Sequence, residues 1–497
     1  MPLWKPHLSI FLLFFGCANR YPPVADYRAG NHQTALARQK ELAAQPSVDQ
    51  TLEQVRLGSM AMAMGEDDLA EQAFRGAVGS MTTFQADGEF AAVLVSESSK
   101  EWKGEPYEKM AAFLTLGTLL YASGDHGNAL AMFKSSVLAD TGTAEERYRS
   151  DFVPGWIMQA LAYQAEGEDE NARQFLSRGI DAYTSRAVLQ LLSDALQRVT
   201  VEGADVDDVK RAKLVLFSAL SAGVTAAPRD PQAAAAATRS VATDLLLQQQ
   251  DRARNDRLAG LQSFSSRDFD AAGQALPAVT AAWMENVAAL PEAATTEGEA
   301  FADQMMALLA DPPSTILLIE RGFGPRKVQS GTYGEVMRIV PSSHPGTTPV
   351  VQLGGAPVTP LLLDNMLFQA STRGGRGVDG FLKGKAVFKD TSLVTGHVLS
   401  LMSDVASFND NDELAAVLGV ASCLFFAAGV VTNPAADIRQ WGLLPDAWYL
   451  VAADLPPGEH SLTIDAHDYT LQVPARGQLV GLIPHLAPRG STTIAPR

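Results

Sequence analysis

The sequence predicts a multidomain chain: an α-helical solenoid of paired helices followed by a β-rich (α+β) domain with a helical insert. Three observations carry this. Helix-turn-helix stretches recur around Gly65, Gly124 and Gly167 with small and aromatic residues at matching offsets. Composition changes at Asp311-Pro312-Pro313, where helical periodicity stops. Beyond it come short apolar runs, each closed by Gly, Pro or Asp, which is how strands read.

At 497 residues, 46% of them hydrophobic, the chain is long enough for more than one core. It carries 39 basic against 56 acidic residues, a net charge of −17, which argues against non-specific nucleic-acid binding. The amino end has Lys5, then the apolar run Leu8 to Phe15, then Gly16-Cys17. Residues 1–17 therefore read as a secretory signal, too short to span a bilayer as a helix. A small residue before Cys resembles the lipobox of bacterial lipoproteins, although Phe14 and Phe15 depart from its usual Leu and small residue. The resemblance implies a lipid on Cys17, residues 18–47 as a tether, and, with Ala18 after the Cys, an outer-membrane location facing the periplasm. Cys423 is then left without a partner for an internal disulfide and reads as a small buried hydrophobe.

The helical array is expected over 48–311. In its central pair Gly117, Ala129 and Phe133 stand twelve and then four positions apart, the small-small-aromatic spacing of a tetratricopeptide (TPR) pair. Leu57, Gly58, Ala70, Phe74 and Ala77 repeat the pattern upstream; Trp156, Ala160, Tyr163, Ala172 and Leu176 repeat it downstream. The turn glycines lie 59 and 43 residues apart rather than 34, so extra segments separate the units. After Arg186, Ala187 to Val199, Val206 to Ala222 and Ala233 to Asp251 read as helices. Leu258-Ala259-Gly260 with Ala272 and Leu276 reads as a degenerate fourth unit, and Thr296 to Leu309 closes the half. Acidic clusters such as Glu66-Asp67-Asp68 begin helices after turns, where carboxylates favour the helix dipole.

In a TPR array the first helix of each pair lines the concave groove. Those positions here are Leu52, Val55, Ser59 and Met62, then Ala111, Leu114, Thr118 and Tyr121, then Ile157, Leu161 and Gln164. None is Lys or Arg, so the groove should not clamp an acidic peptide end. An apolar groove is a binding site or already filled. The expectation is that the protein's own helices fill it, from Gln85–Lys103 or from beyond Arg186.

The β-rich domain is expected over 312–490, with antiparallel strands at Ser314–Glu320, Val336–Val340, Val350–Leu353, Leu361–Leu363, Trp448–Ala452, His460–Ile464, Thr470–Val473 and Leu479–Ile483, and a helical insert at 382–441. Leu414 to Thr432 is nineteen residues without a charge, read as buried in protein rather than membrane-spanning. The stretches WKGEPYEKM (Trp102–Met110), ERGFGPRK (Glu320–Lys327) and AADIRQWGLLP (Ala435–Pro445) together resemble a family of bacterial TPR-containing lipoproteins with a common carboxyl-terminal region. That resemblance implies architecture and location, and no catalytic residues.

None of the eight histidines lies in a metal-ligand spacing, and no Ser lies in GxSxG. The GRGVDGFLKGKA stretch fails as a phosphate loop, with Asp379 where the first Gly belongs and Ala386 where Ser or Thr should bind metal. No cofactor, metal or catalytic residue is expected. The reading is a non-enzymatic, lipid-anchored envelope scaffold whose partners are the membrane, through Cys17, and other envelope proteins. The alternative is an envelope enzyme or an exported-polymer binding module acting through the carboxyl domain.

Overall fold

The computed structural model describes residues 23–82, 100–140, 151–227, 230–258, 264–288, 293–330, 336–371, 436–485 and 492–496. A helix-rich amino-terminal half is followed by a sheet region. Helices α1 (Pro23–Arg28) and α2 (His32–Ala44) come first. Three helix hairpins follow: α3 (Gln50–Ala63) with α4 (Asp67–Thr82), α5 (Pro106–Ala122) with α6 (His126–Asp140), and α7 (Val153–Ala165) with α8 (Asp169–Gln197).

The three hairpin turns are built alike. Gly65, Gly124 and Gly167 sit at φ 73°, 78° and 78°, a conformation that only glycine adopts freely. In each turn the glycine N–H reaches back three residues and the next N–H reaches back five, as in Gly124 to Tyr121 (3.0 Å) and Asp125 to Leu120 (2.9 Å). This double bond satisfies the last carbonyls of the first helix. Within the first two hairpins an aromatic ring occupies the space that a missing side chain leaves. A Cβ on Gly58 would stand 2.6 Å from the Phe74 ring, and one on Gly117 2.6 Å from Phe133. The third hairpin has Ala160 and Leu176 at these places, both buried: a larger small residue facing a smaller large one.

Helix α8 runs on without a break to Gln197, where a separate helix from Ala187 was expected. Continuity brings its carboxyl end into a second core with α9 (Val206–Ala226), α10 (Pro231–Leu258) and α11 (Phe264–Ala288). Trp283 of α11 is fully buried there and donates its indole N–H to the Leu192 carbonyl at 3.0 Å. Ala272 and Leu276, expected to mark a fourth unit, are both buried and lie within the single helix α11. Helix α12 (Ala293–Ala310) folds back along α8, with Phe301 stacked on Tyr183 at 3.7 Å between centroids.

The expected tether does not match residues 23–44, which form α1 and α2. Tyr27 is 1% exposed, and Arg28 places its guanidinium 3.9 Å from the Phe323 ring centroid while donating to the Gly442 carbonyl. Composition gave no warning, because a six-residue helix owes its existence to tertiary burial rather than to propensity.

The sheet region contains β1 (Thr315–Arg321), β2 (Arg326–Ser330), β3 (Val336–Val340), β4 (Val351–Leu353), β5 (Ala356–Val358), β6 (Leu361–Asn365), helix α13 (Met366–Ser371), β7 (Ala447–Ala453), β8 (Gly458–Ile464), β9 (His467–Val473), β10 (Leu479–Ile483) and β11 (Thr492–Ile494). One sheet has the order β10-β1-β7-β6 and a second the order β11-β9-β8-β4-β5; β2 and β3 form a hairpin. The expectation of purely antiparallel pairing fails at two places, because β10 runs parallel to β1 and β11 parallel to β9. Apolar alternation reports which face is buried and carries no information on strand direction.

Strand β1 is buried on both faces. Leu317 and Ile319 join Leu462, Tyr469 and Leu471 of the second sheet in a sandwich core, while Ile316 and Leu318 join the helical core. That explains the unbroken apolar run ILLI, Ile316 to Ile319, where a half-exposed strand would alternate. Residues Ala436 to Gln440, placed by expectation in the helical insert, carry no helix. The remainder of the insert, Leu414–Thr432, Cys17, Cys423 and the FAAVLV run at 90–95 lie outside the described residues.

Candidate functional site

The residues expected to line a concave groove share one side of the three hairpins, and that side is closed. Leu52, Val55, Ser59 and Met62 of α3 are buried, as are Ala111, Leu114, Thr118 and Tyr121 of α5 and Ile157 and Leu161 of α7; Gln164 is half-buried. Helix α12, one of the expected helices beyond Arg186, covers part of it through Phe301 and Met305, while residues 85–99 lie outside the described residues; the larger cover is of another kind. It is the outer face of the first sheet, through Ile316, Leu318, Trp448, Leu450 and Val480, together with Trp441, Leu443 and Leu444 of the incoming chain. The sheet needs apolar cover on that face and the hairpins offer it, so each satisfies the other's exposed surface. Polar tips are matched as well. Tyr121 donates its hydroxyl to the Leu161 carbonyl at 3.1 Å, and Gln164 donates to the Leu309 carbonyl at 2.7 Å.

The three stretches that carry the family resemblance meet at one end of this interface. Glu108, at the third position of α5, closes a capping box with Glu105, whose N–H it accepts at 2.9 Å. The same carboxylate receives the Lys327 ammonium at 2.5 Å, across 219 residues of sequence, and both side chains are 1% exposed. Its second oxygen accepts the Trp441 backbone N–H at 2.9 Å. Lys327 also donates to the Arg439 carbonyl at 2.9 Å, and its own N–H binds the Gln440 side chain at 2.7 Å.

The segment from Ala436 to Asp446 thus lies against α3 and α5 much as a bound peptide would. Trp441 inserts its ring beside Phe74, 5.8 Å between centroids, and donates its indole N–H to Ser59 Oγ at 2.9 Å. Arg56 of α3 donates to the Gln440 carbonyl at 3.0 Å, and the Trp102 indole to the Arg439 carbonyl at 3.3 Å. Arg439 pairs with Asp49 and Asp437, each at 2.8 Å. The charges and most of the hydrogen bonds of this segment are met from within the chain, the buried Arg56 Nε being an exception.

A second buried polar cluster lies at the other margin. Asp364, at the end of β6 and wholly enclosed, pairs with Arg186 of α8 at 2.9 Å and accepts the Val153 N–H at 3.2 Å and the Gln369 amide at 3.2 Å. It caps α7 from outside that helix's own sequence. Near it stands Asp151, a half-buried residue. Burial, and then the Asp364 carboxylate, push the Asp151 carboxyl up to about 8, against the pull of Gln369 and Arg186. Burial also raises Asp364, opposed chiefly by Arg186.

Sequence reasoning missed both clusters. Glu108, Lys327, Arg439 and Trp441 sat in plain view inside the three motif stretches, but nothing local says that they touch. Asp151 and Asp364 have no signal at all. The described histidines do not assemble: His126 lies 3.4 Å from Glu166 between neighbouring turns, His460 bonds the Pro456 carbonyl, and His485 stands 3.5 Å from Glu320. Among the described residues no group of three His, Cys, Asp or Glu is placed to hold a metal. None of the described helices is long and apolar enough to cross a membrane. Comparison with protein-family models, curated proteins and solved structures finds no match.

Proposed function

We propose that the chain is a non-enzymatic, lipid-anchored scaffold of the bacterial envelope, held to the outer membrane through Cys17 and facing the periplasm. Its three hairpins form a TPR-like solenoid. The matching double-bonded glycine turns at Gly65, Gly124 and Gly167 support that reading. The observation that carries the function is the cis-filled recognition face: the surface that such an array uses for ligands is spent on the protein's own carboxyl half. On this reading the array is a mounting for the sheet region, and envelope partners engage outer surfaces. The alternative of an enzyme needs accessible acid and base groups. The carboxylate pair that the fold brings together has Asp364 enclosed and engaged with Arg186, Val153 and Gln369.

The anchor is tested by Cys17→Ala. The substituted protein should appear in the soluble fraction or remain unprocessed, while the wild-type chain carries lipid by mass spectrometry. Correctly processed Cys17→Ala protein recovered with membranes would remove the anchor from the proposal.

A further inference from the structure

Helices α10 and α11 enter the second core through Ala234, Ala235, Val279 and Trp283, all fully buried. Between them the same two helices leave a groove of about 420 Å³. Its apolar walls are Leu246 and Leu247 of α10 and Leu276 and Pro277 of α11. Leu276 is buried, whereas Leu247 is 55% exposed, so the groove opens to solvent. Ala242, Gly273 and Ala281 also line it and contribute a methyl group or less, which is why the helices leave space there. On each helix the lining residues recur at intervals of three and four, from 239 to 247 and from 273 to 281. Each wall is therefore a single stripe about 12 Å long.

Polar groups in the groove are few. The Thr243 hydroxyl is spent on the Arg239 carbonyl, to which it donates at 3.0 Å. Pro277 has no N–H to give the Gly273 carbonyl, which leaves that acceptor outside the helical ladder. Among the described residues that line the groove, Arg239 is the charged one, and it stands at the first position of the α10 stripe. Its side chain is exposed, and no described carboxylate pairs with it. An arginine in this setting lays its apolar stem along the groove and presents a planar fork that matches a carboxylate.

We propose that the α10–α11 groove binds a free long-chain fatty acid, its hydrocarbon tail between the two stripes and its carboxylate on Arg239. The groove volume lies within the range of small-molecule sites, about 300–1,000 Å³. An unbranched tail carrying one terminal anion is the smallest ligand that meets both an apolar trough and a lone cation at its head. The site is independent of the lipid at Cys17.

The full-length chain carrying Cys17→Ala keeps any lipid of its own out of the assay. Calorimetric titration with decanoate, below its micelle concentration, should show saturable binding of one equivalent. Arg239→Gln should weaken decanoate about fivefold, the upper range for an exposed ion pair, and leave decanol binding unchanged. Thr243→Trp, at an exposed position of the groove wall, should abolish binding of both. No saturable binding, undiminished binding in Thr243→Trp, or an Arg239→Gln variant that treats decanoate and decanol alike overturns the proposal. So does a wild-type dimer that Thr243→Trp dissociates, or a disulfide from Leu247→Cys to Cys423, because then a second copy or the chain's own insert occupies the groove. Should a variant not fold, wild-type protein is photolabelled with a diazirine-bearing decanoic acid. Labelling within 239–247 and 273–281 supports the site, and labelling elsewhere overturns it.

Discussion

A buried lysine shows how much one side chain can hold. Lys327 and Glu108 meet at 2.5 Å, each side chain 1% exposed, and around them gather the Trp441 N–H and the Arg439 carbonyl. A buried pair is weak evidence of net stability, because removing two charges from water offsets much of their attraction. Breaking it is another matter. Lys327→Met should strand Glu108 without its cation and cost about 3–5 kcal/mol. The double variant Glu108→Gln/Lys327→Met should recover part of that loss, because the Gln carbonyl still accepts the Trp441 N–H. Denaturant melts of the two variants check this; equal losses would mean that the stranded charge is not the cause.

At the scale of elements, the hairpins depend on what is missing from them. Gly58 and Gly117 leave room for Phe74 and Phe133, and Ala129 is fully buried against the facing helix. Ala129→Leu should overpack the α5–α6 contact and cost about 1–3 kcal/mol. The readout is the melting temperature, and no change would show that the helices do not meet closely there. The glycines, the small residues and their spacing could be read from the chain because hairpin packing is local. The continuity of α8 could not. Its carboxyl end is held by Trp283, 91 residues away, through the bond to Leu192.

Across the whole molecule, the compositional boundary at Pro312 is not a break in the core. Ile316, Leu318, Trp448, Leu450 and Val480 of the sheet region share one apolar cluster with Leu114, Leu161 and Met62 of the hairpins. Residues 312–497 expressed alone should therefore expose that sheet face and aggregate, and co-expression with the preceding helices should restore solubility. Size-exclusion chromatography of the two preparations decides; a soluble, monomeric carboxyl half on its own would show that the shared cluster is dispensable.

The order of classes, helices first and sheet after, was in the sequence, as were the glycine-turned hairpins and most strands. Each depends on neighbours a few positions apart: periodicity, turn glycines, and the small-small-aromatic offsets. The closed state of the groove was legible only as an apolar lining without a cation, which says that something covers it and leaves the occupant open. That a sheet face and the Ala436–Asp446 segment cover it was decided by tertiary structure, because apolar burial is non-directional and accepts any complementary surface. The same holds for Glu108 with Lys327 and for Arg186 with Asp364. Ion pairs depend on distances of a few ångströms, and between residues so far apart in the chain only the fold sets those distances.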